Sequence, residues 1–438
     1  MDFKINYTDK ELSSWGGMEF MRRLLIKSGT LDFIEKMEHL PTQGSNRGYS
    51  PVQLITSFWV SIWCGGNRYS HLEILRHDNV LKKLFGWKEM AGYKAYMRYF
   101  EKFNLATNQK VFQELYEWFF SQLKFDNYTL DFDSTIMTRY GEQEGAKKGY
   151  NPSKKGRNSH HPLLAFVSEC RMIANLWNRP GNTGSASNFE AFLMDTLDKL
   201  KGKTVGLIRM DSGFFNKEIL DLLESKSLNY IIAVRFYSTV QSAVSYHKTW
   251  LNVAKGIDIA EIEYQANEWE QARRVIVVRQ SKEERPKATG KQLSLFEDII
   301  ELGKYRYSAY ITNLTLPPKV VWDSYKGRAD SENRIKELKE DFGIDSFATK
   351  NFFALEATLN FIMMAYNLMS LFKQAIFQSK QQPQLKTLRY KLFATASYIT
   401  KNGNQRILNL AIAIKNRKWW DGLFGNYDDI VFPYDFPT

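Results

Sequence analysis

Residues 325–339, YKGRADSENRIKELK, place Tyr325, Arg328, Glu332 and Lys339 with two, three and six residues between them. On an α-helix turning about 100° per residue, these four side chains share a stripe roughly 60° wide. The spacing predicts one helix running from Tyr325 to Phe342. Ile335, Leu338 and Phe342 form an adjoining apolar stripe that can pack on a core. The polar stripe is then held at the edge of something solid. A carboxylate flanked by cations on a rigid element suits a site that handles metal ions and phosphates.

Two aspartates upstream have contexts that match it. Tyr128–Ser134 alternates, with Leu130 and Phe132 on one face and Asp131 and Asp133 on the other, as a half-buried strand does. Val205–Met210 is a short apolar strand that ends in Asp211. Strand ends of an open sheet face a crevice, so side chains there reach a ligand and not the core. If the two strands are neighbours, Asp133 and Asp211 supply hard oxygen ligands side by side. Mg²⁺ favours a few carboxylates with waters and substrate phosphates, and two such ions suit phosphoryl transfer. Each acid also has an ordinary reading. Asp133 can serve a turn before Ser134-Thr135, Asp211 can cap a helix from Ser212, and Glu332 can pair with Arg328 and Lys336 along the helix. Asp131 shares the face of Asp133 and is the alternative ligand. His160-His161 suits a structural role at the start of a strand.

The rest of the chain supplies the frame. Residues 1–120 read as helical, with a start at Ser50-Pro51, a stop at Gly65-Gly66, and a piece near Tyr93–Phe103 carrying Lys94, Arg98 and Lys102. Pro162–Ser168 and Met172–Trp177 form a hairpin. Ser187 with Glu190 forms a capping box, a helix covers Lys217–Ser225, and a strand covers Tyr230–Arg235. The order is three strands, helix, strand, helix, strand. A mostly β insertion follows at about 236–313, with strands at Ile257–Tyr264, Ala272–Gln280 and Tyr305–Thr312 around a polar loop near Lys282–Lys291. After Pro317-Pro318 comes the helix of Tyr325–Phe342, and the remainder reads as helical and basic.

Bulk properties narrow the class. The 438 residues, 44% hydrophobic and 15% aromatic, suffice for two or three cores. The start, MDFKINYTDKELSS, is too polar for a signal peptide. The apolar runs near Ile55–Cys64 and Phe361–Phe372 are too short to span a bilayer. Cys64 and Cys170 make neither a disulfide framework nor a zinc site, which fits a cytoplasmic protein. Net charge is +12, and the 64 positions between Glu356 and Asp421 hold ten basic residues and no acidic one. Lys147, Lys148, Lys154, Lys155 and Arg157 form a second basic cluster. One-signed tracts of this kind fit a polyanionic partner, and nucleic acid in particular.

These residues resemble the DDE transposases of bacterial insertion sequences, and most of all the group named after insertion sequence thirteen-eighty, with its DDE group 1 domain. The late helix matches that superfamily's Tyr–Arg–Glu–Lys signature at all four positions. DFDST resembles the first-aspartate motif, which favours Asp133 over Asp131, and RMDSGFF resembles the second. GYNPSKKGRNSHHPLLAF and LRYKLFATASYI also look like segments of the family. The resemblance implies an α/β, RNase H-like (retroviral-integrase-like) catalytic core at 121–350, interrupted by the β insertion. A helical DNA-binding region at 1–120 and a basic helical region at 351–438 would flank it. It implies Asp133, Asp211 and Glu332 as catalytic metal ligands for two Mg²⁺ ions, with Mn²⁺ substituting. Tyr325, Arg328 and Lys339 then contact the DNA backbone, with Lys336, Lys154, Lys155 and Arg157 as further DNA-binding residues. The implied activity is cut-and-paste transposition on inverted-repeat double-stranded DNA ends, followed by 3′-OH strand transfer into target DNA. It would be carried out by a homodimer in the bacterial cytoplasm, at the nucleoid and not at a membrane. In some relatives a Trp of the insertion receives a flipped base, a role for Trp269 or Trp250. The alternatives are a catalytically inactive, domesticated DNA-binding descendant and a glycosyltransferase using DFD. The intact triad argues against the first, and the late-helix cations against the second.

Overall fold

The computed structural model describes residues 3–436 except 43, 45–47, 287–298 and 380, and divides into two compact units. One unit joins the chain up to Leu123 with the chain from Glu337 onward, and the other is Lys124–Lys336. The N- and C-terminal regions, far apart in sequence, therefore share a unit.

In that unit the helix Pro51–Trp63 starts where expected. Ser50 accepts from the Gln53 amide, and Pro51 occupies the first turn, where its missing N–H costs nothing. It ends at Gly65, whose φ of 104° suits glycine. Every residue from Leu54 to Trp63 is buried, which requires cover on all sides. The helix Phe352–Phe372 provides much of it. Trp59 and Trp63 donate their indole N–H groups to the Phe361 and Ala365 carbonyls, at 2.8 and 3.1 Å. Among the described residues Phe352–Phe377 is the one helix long and apolar enough to cross a membrane, but 83% of its apolar window is buried inside the protein. It is longer than the Phe361–Phe372 run and serves as a core helix.

The C-terminal stretch is not all helix. Ser397–Asn402 and Gln405–Leu410 pair as an antiparallel hairpin. Its two-residue Gly403-Asn404 turn, with Gly403 at φ 58°, and its β-branched Ile399, Thr400 and Ile407 are local hairpin signals that outweigh the helical reading. The basic tract divides as well. Lys373 is buried against Glu337 at 2.8 Å, and Arg389 donates to the Ile62, Trp63 and Asp341 carbonyls. Lys386 pairs with Glu340, whereas Lys391, Lys401, Arg406, Lys415, Arg417 and Lys418 are exposed.

The second unit is built on one ten-stranded mixed sheet. Its strands are β1 (Tyr128–Ser134), β2 (Leu163–Val167), β3 (Met172–Trp177), β4 (Val205–Met210), β5 (Tyr230–Ala233), β6 (Leu251–Ala254), β7 (Ile257–Tyr264), β8 (Arg273–Ser281), β9 (Ile299–Leu302) and β10 (Tyr305–Thr312). The order is 6-7-8-10-5-4-1-2-3, with β9 also paired to β10. β4 runs parallel to β1 and β5 parallel to β4, while β1–β2 and β2–β3 are antiparallel. The strands of the insertion are not a separate body. β10 pairs with β5, so the insertion continues the sheet. It also contains a helix, Ser238–Tyr246, that its β-rich composition hides. The second half of the polar loop near Lys282–Lys291 lies outside the described residues.

Helices cover this sheet: α1 (Phe189–Lys199), α2 (Lys217–Ser225), α3 (Ser238–Tyr246), α4 (Pro318–Lys326) and α5 (Ala329–Glu340). The capping box expected at Ser187 does not form. α1 begins at Phe189 behind Asn188, which adopts the left-handed conformation and makes no side-chain cap. By contrast α2 is capped by Asn216, which accepts from the Ile219 amide at 2.9 Å. α4 lies on the insertion strands, where Val321, Trp322 and Tyr325 join Ile257, Ile276 and Val278 in one apolar cluster.

Candidate active site

Parallel pairing of β1 with β4 sets Phe132 opposite Met210, so Asp133 and Asp211 leave adjacent strand ends. Asp133 accepts from the Ser134 amide through Oδ1, and Asp211 accepts from the Gly213 amide through Oδ1 as cap of the 3-10 turn Ser212–Phe214, both at 2.8 Å. One oxygen of each carboxylate thus serves the backbone, as the ordinary readings expect. The other oxygens face Arg328. Its guanidinium lies 2.8 Å from Asp133, 3.8 Å from Asp211 and 4.0 Å from Glu332. Three acids from three elements therefore converge on one cation.

Arg328 is 1% exposed, and its Nε has no hydrogen-bond partner among the described residues. Burial opposes its charge, but Asp133, Tyr325 and Asp211 override that and hold its pKa above the usual arginine range. Burial pushes the Asp133 carboxyl up to about 6, against Arg328 and with help from the neighbouring Asp211. Glu332 is the acid that reaches solvent, its side chain 28% exposed against 8% for Asp133 and 5% for Asp211.

The Tyr–Arg–Glu–Lys stripe does not lie on one helix. α4 ends at Lys326 and α5 begins at Ala329, with a tightened junction between them. Arg209 on β4 lies against the break. Its Nη1 donates to the Ser324 carbonyl, the acceptor that a continuous α-helix would offer the Arg328 amide. That amide turns to Tyr325 instead, and the Asp330 and Ser331 amides reach Gly327 and Arg328 in the same three-residue pattern. A Cβ on Gly327 would stand 2.5 Å from Arg209 Nη1, so a larger residue there would push the guanidinium from its place. Tyr325 consequently belongs to the core. It is 3% exposed, its ring lies 4.4 Å from that of Tyr310, and its hydroxyl donates to the Met210 carbonyl. Neither Tyr325 nor Arg328 presents a surface to an external strand in this structure.

The remaining expected residues separate by exposure. Lys336 is exposed, and Lys339 is half-buried, 3.9 Å from Asp345. Lys154, Lys155 and Arg157 are exposed beside a small three-stranded sheet whose strands include Lys147–Lys148 and Asn158–His160. Trp269 has Arg273 over one face and Tyr264 and Phe215 edge-on; Trp250 stacks beneath Arg279. His160 is buried, accepts from Arg139 Nε at Nδ1 and donates from Nε2 to the Glu144 carbonyl. His161 donates to the Thr183 carbonyl and accepts from Ser134, next to Asp133.

Asp131, the alternative ligand, has both oxygens engaged by Arg209, at 2.6 and 2.8 Å. That pair, Ser331 donating to Asp133, and Arg334 were not found from sequence. Arg334 ties α5 to the end of β2 through the Val167 and Ser168 carbonyls while gripping Asp330. One signal for the buried pair was present. Asp131 and Arg209 stand two residues before Asp133 and Asp211, the same offset on parallel strands, so they share a face and a register.

Three acids at strand ends and on the following helix, over a mixed sheet, define a class of acid-centred site. The chain belongs to the family described as transposase DDE domain group 1, whose model matches residues 2–424. No curated protein matches it. Among solved structures it is similar to the piggyBac transposase in a cryo-EM synaptic complex with hairpin DNA. The identity is 11% and the TM-score 0.46, covering 88% of this chain and 82% of that one.

DDE transposases generally use divalent metal ions. The donors here fit such an ion in chemistry, being hard carboxylate oxygens with more negative charge than Arg328 alone balances. They are not drawn into a ligand cluster among the described residues. The guanidinium stands in the middle of the donor set and carries the positive charge there.

Proposed function

We propose that this protein is a cut-and-paste transposase of a bacterial insertion sequence, cleaving the inverted-repeat ends of its element and joining the 3′-OH ends to target DNA. The convergence of Asp133, Asp211 and Glu332 within 4.0 Å of Arg328 carries this reading. The strand order 5-4-1-2-3, with β1 parallel to β4, supports an RNase H-like core. Asp133, Asp211 and Glu332 would hold divalent ions, Mg²⁺ with Mn²⁺ substituting. Bound ions supply Lewis-acid activation of an attacking oxygen and stabilise the leaving one.

The chain's own residues supply the rest. Arg328 holds the acids together by charge from within the fold, and Tyr325 locks α4 to the end of β4. Lys154, Lys155, Arg157 and Lys336, all exposed, would contact the DNA backbone together with Lys339 further along α5. The exposed cations of the C-terminal tract add non-specific affinity. Glu332→Gln tests the reading, because it keeps size and removes a charge that is already part-solvated. Divalent-dependent cleavage of a duplex carrying the element's end should vanish while binding of that duplex persists. Cleavage at the wild-type rate would sink the mechanism.

A further inference from the structure

Asp131 and Arg209 lie outside the three acids, yet Arg209 touches the helix junction that carries Arg328 and Glu332. Arg209 is 5% exposed and Asp131 0%, and the fork is bidentate. The guanidinium also reaches Ser168 at 3.0 Å and the Ser324 carbonyl. One arginine therefore joins β1, β4, the end of β2 and α4. The same guanidinium thus reaches beyond its ion pair to the last turn of α4. At that point α4 ends and the next amides make three-residue hydrogen bonds, Arg328 to Tyr325, Asp330 to Gly327 and Ser331 to Arg328. A three-residue turn advances about 120° per residue in place of about 100°. Over the junction this rotates Arg328 and Glu332 by tens of degrees from where an unbroken helix would put them.

We infer that the Asp131–Arg209 pair is a positioning latch, which breaks the late helix at Gly327 so that Arg328 points into the acids and Glu332 faces the site. This rests on the function proposed above. Asp131 enters as the anchor of the latch, and Gly327 as the clearance it requires, because a Cβ there would meet Arg209 Nη1 at 2.5 Å.

The test is a cycle in the full-length protein. Asp131→Leu with Arg209→Met removes both charges together, so no lone buried ion remains; such replacements are often neutral for stability. The double variant should melt near wild type and bind end DNA within about twofold. Its single-turnover cleavage should fall on the order of 10²-fold, the cost of a misplaced catalytic group. Arg209→Lys keeps a charge for Asp131 but cannot fork to Ser324, and should also lose rate without losing affinity. Gly327→Ala should be as damaging as the double variant in the wild-type background and harmless when added to it. Full cleavage by the double variant, or a Gly327→Ala penalty that is equal in both backgrounds, would overturn the latch. If the double variant does not fold, the cycle of Arg209→Lys with Gly327→Ala is read by the same criterion. Hydrogen exchange over residues 323–332 separates the two claims. A fused helix should slow exchange at Arg328 even if wild type itself fails to cleave, and unchanged exchange there refutes the latch independently of the proposed function.

Discussion

Arg328 is the residue on which the site's electrostatics turn. Removing it leaves three acids without their shared counter-ion, and breaking a buried pair from one side costs about 3–5 kcal/mol. Arg328→Met should therefore melt well below wild type. Millimolar Mg²⁺ or Mn²⁺ should raise its Tm more than that of the wild type, an effect reversed by EDTA and readable by scanning fluorimetry. His160 is held neutral chiefly by burial, which lowers its pKa to about 4 with Arg139 adding to the effect. Its folded value lies below the usual 6.5, so its contribution is full above pH 6.5 and is lost as pH falls through 4. The loss amounts to roughly 3 kcal/mol. His160→Gln should flatten the acid limb of a Tm-versus-pH curve across that window. Asp133 has the opposite sign, since its raised pKa favours the fold below 3.8 and that contribution is lost as pH rises through about 6.

At the scale of elements, the informative cases are those where local signals yielded to tertiary interactions. Ser187 and Glu190 have capping-box spacing, but the chain turns at Asn188 and starts the helix later. Tyr325 to Phe342 has helical spacing throughout, yet it falls on two helices, with Arg209 from β4 on the Ser324 carbonyl at their junction. By contrast β1, β4, β7, β10 and α2 begin and end where their residue patterns place them, because alternation and capping are local. The exposed segment with Lys154, Lys155 and Arg157 offers a clean functional test. Changing all three to Ala should weaken binding to DNA of any sequence. It should also flatten the dependence of log Kd on log salt by about 0.9 for each phosphate that is no longer neutralised. Fluorescence anisotropy at several salt concentrations reads both, and an unchanged slope would exclude this segment from the DNA interface.

For the whole molecule, the unit built from both ends of the chain has the clearest consequence. Trp59 and Trp63 meet carbonyls 302 residues away, and the helix that carries them has no face turned to solvent from Leu54 to Trp63. Residues 1–123 expressed alone should therefore lack a cooperative melt, and co-expression with 337–438 should restore a soluble, co-purifying pair. Independent folding of 1–123 by circular dichroism would contradict this.

The sequence alone determined what depends on near neighbours and on residue chemistry. That includes the strands carrying Asp133 and Asp211, the helix residues around Glu332, the basic surfaces and the family resemblance. It left open whether the two strands are neighbours, since pairing between residues 78 apart, such as Asp131 and Arg209, has no local signature. Only the tertiary structure decided that Arg328 and Tyr325 are interior, that part of the basic tract is spent on carbonyls and buried acids, and that the stripe from Tyr325 to Lys339 is broken at Gly327. The physical reason is common to all three. A buried guanidinium must find acceptors wherever the fold provides them, and here those acceptors come from strands and helices that the chain brings together only on folding.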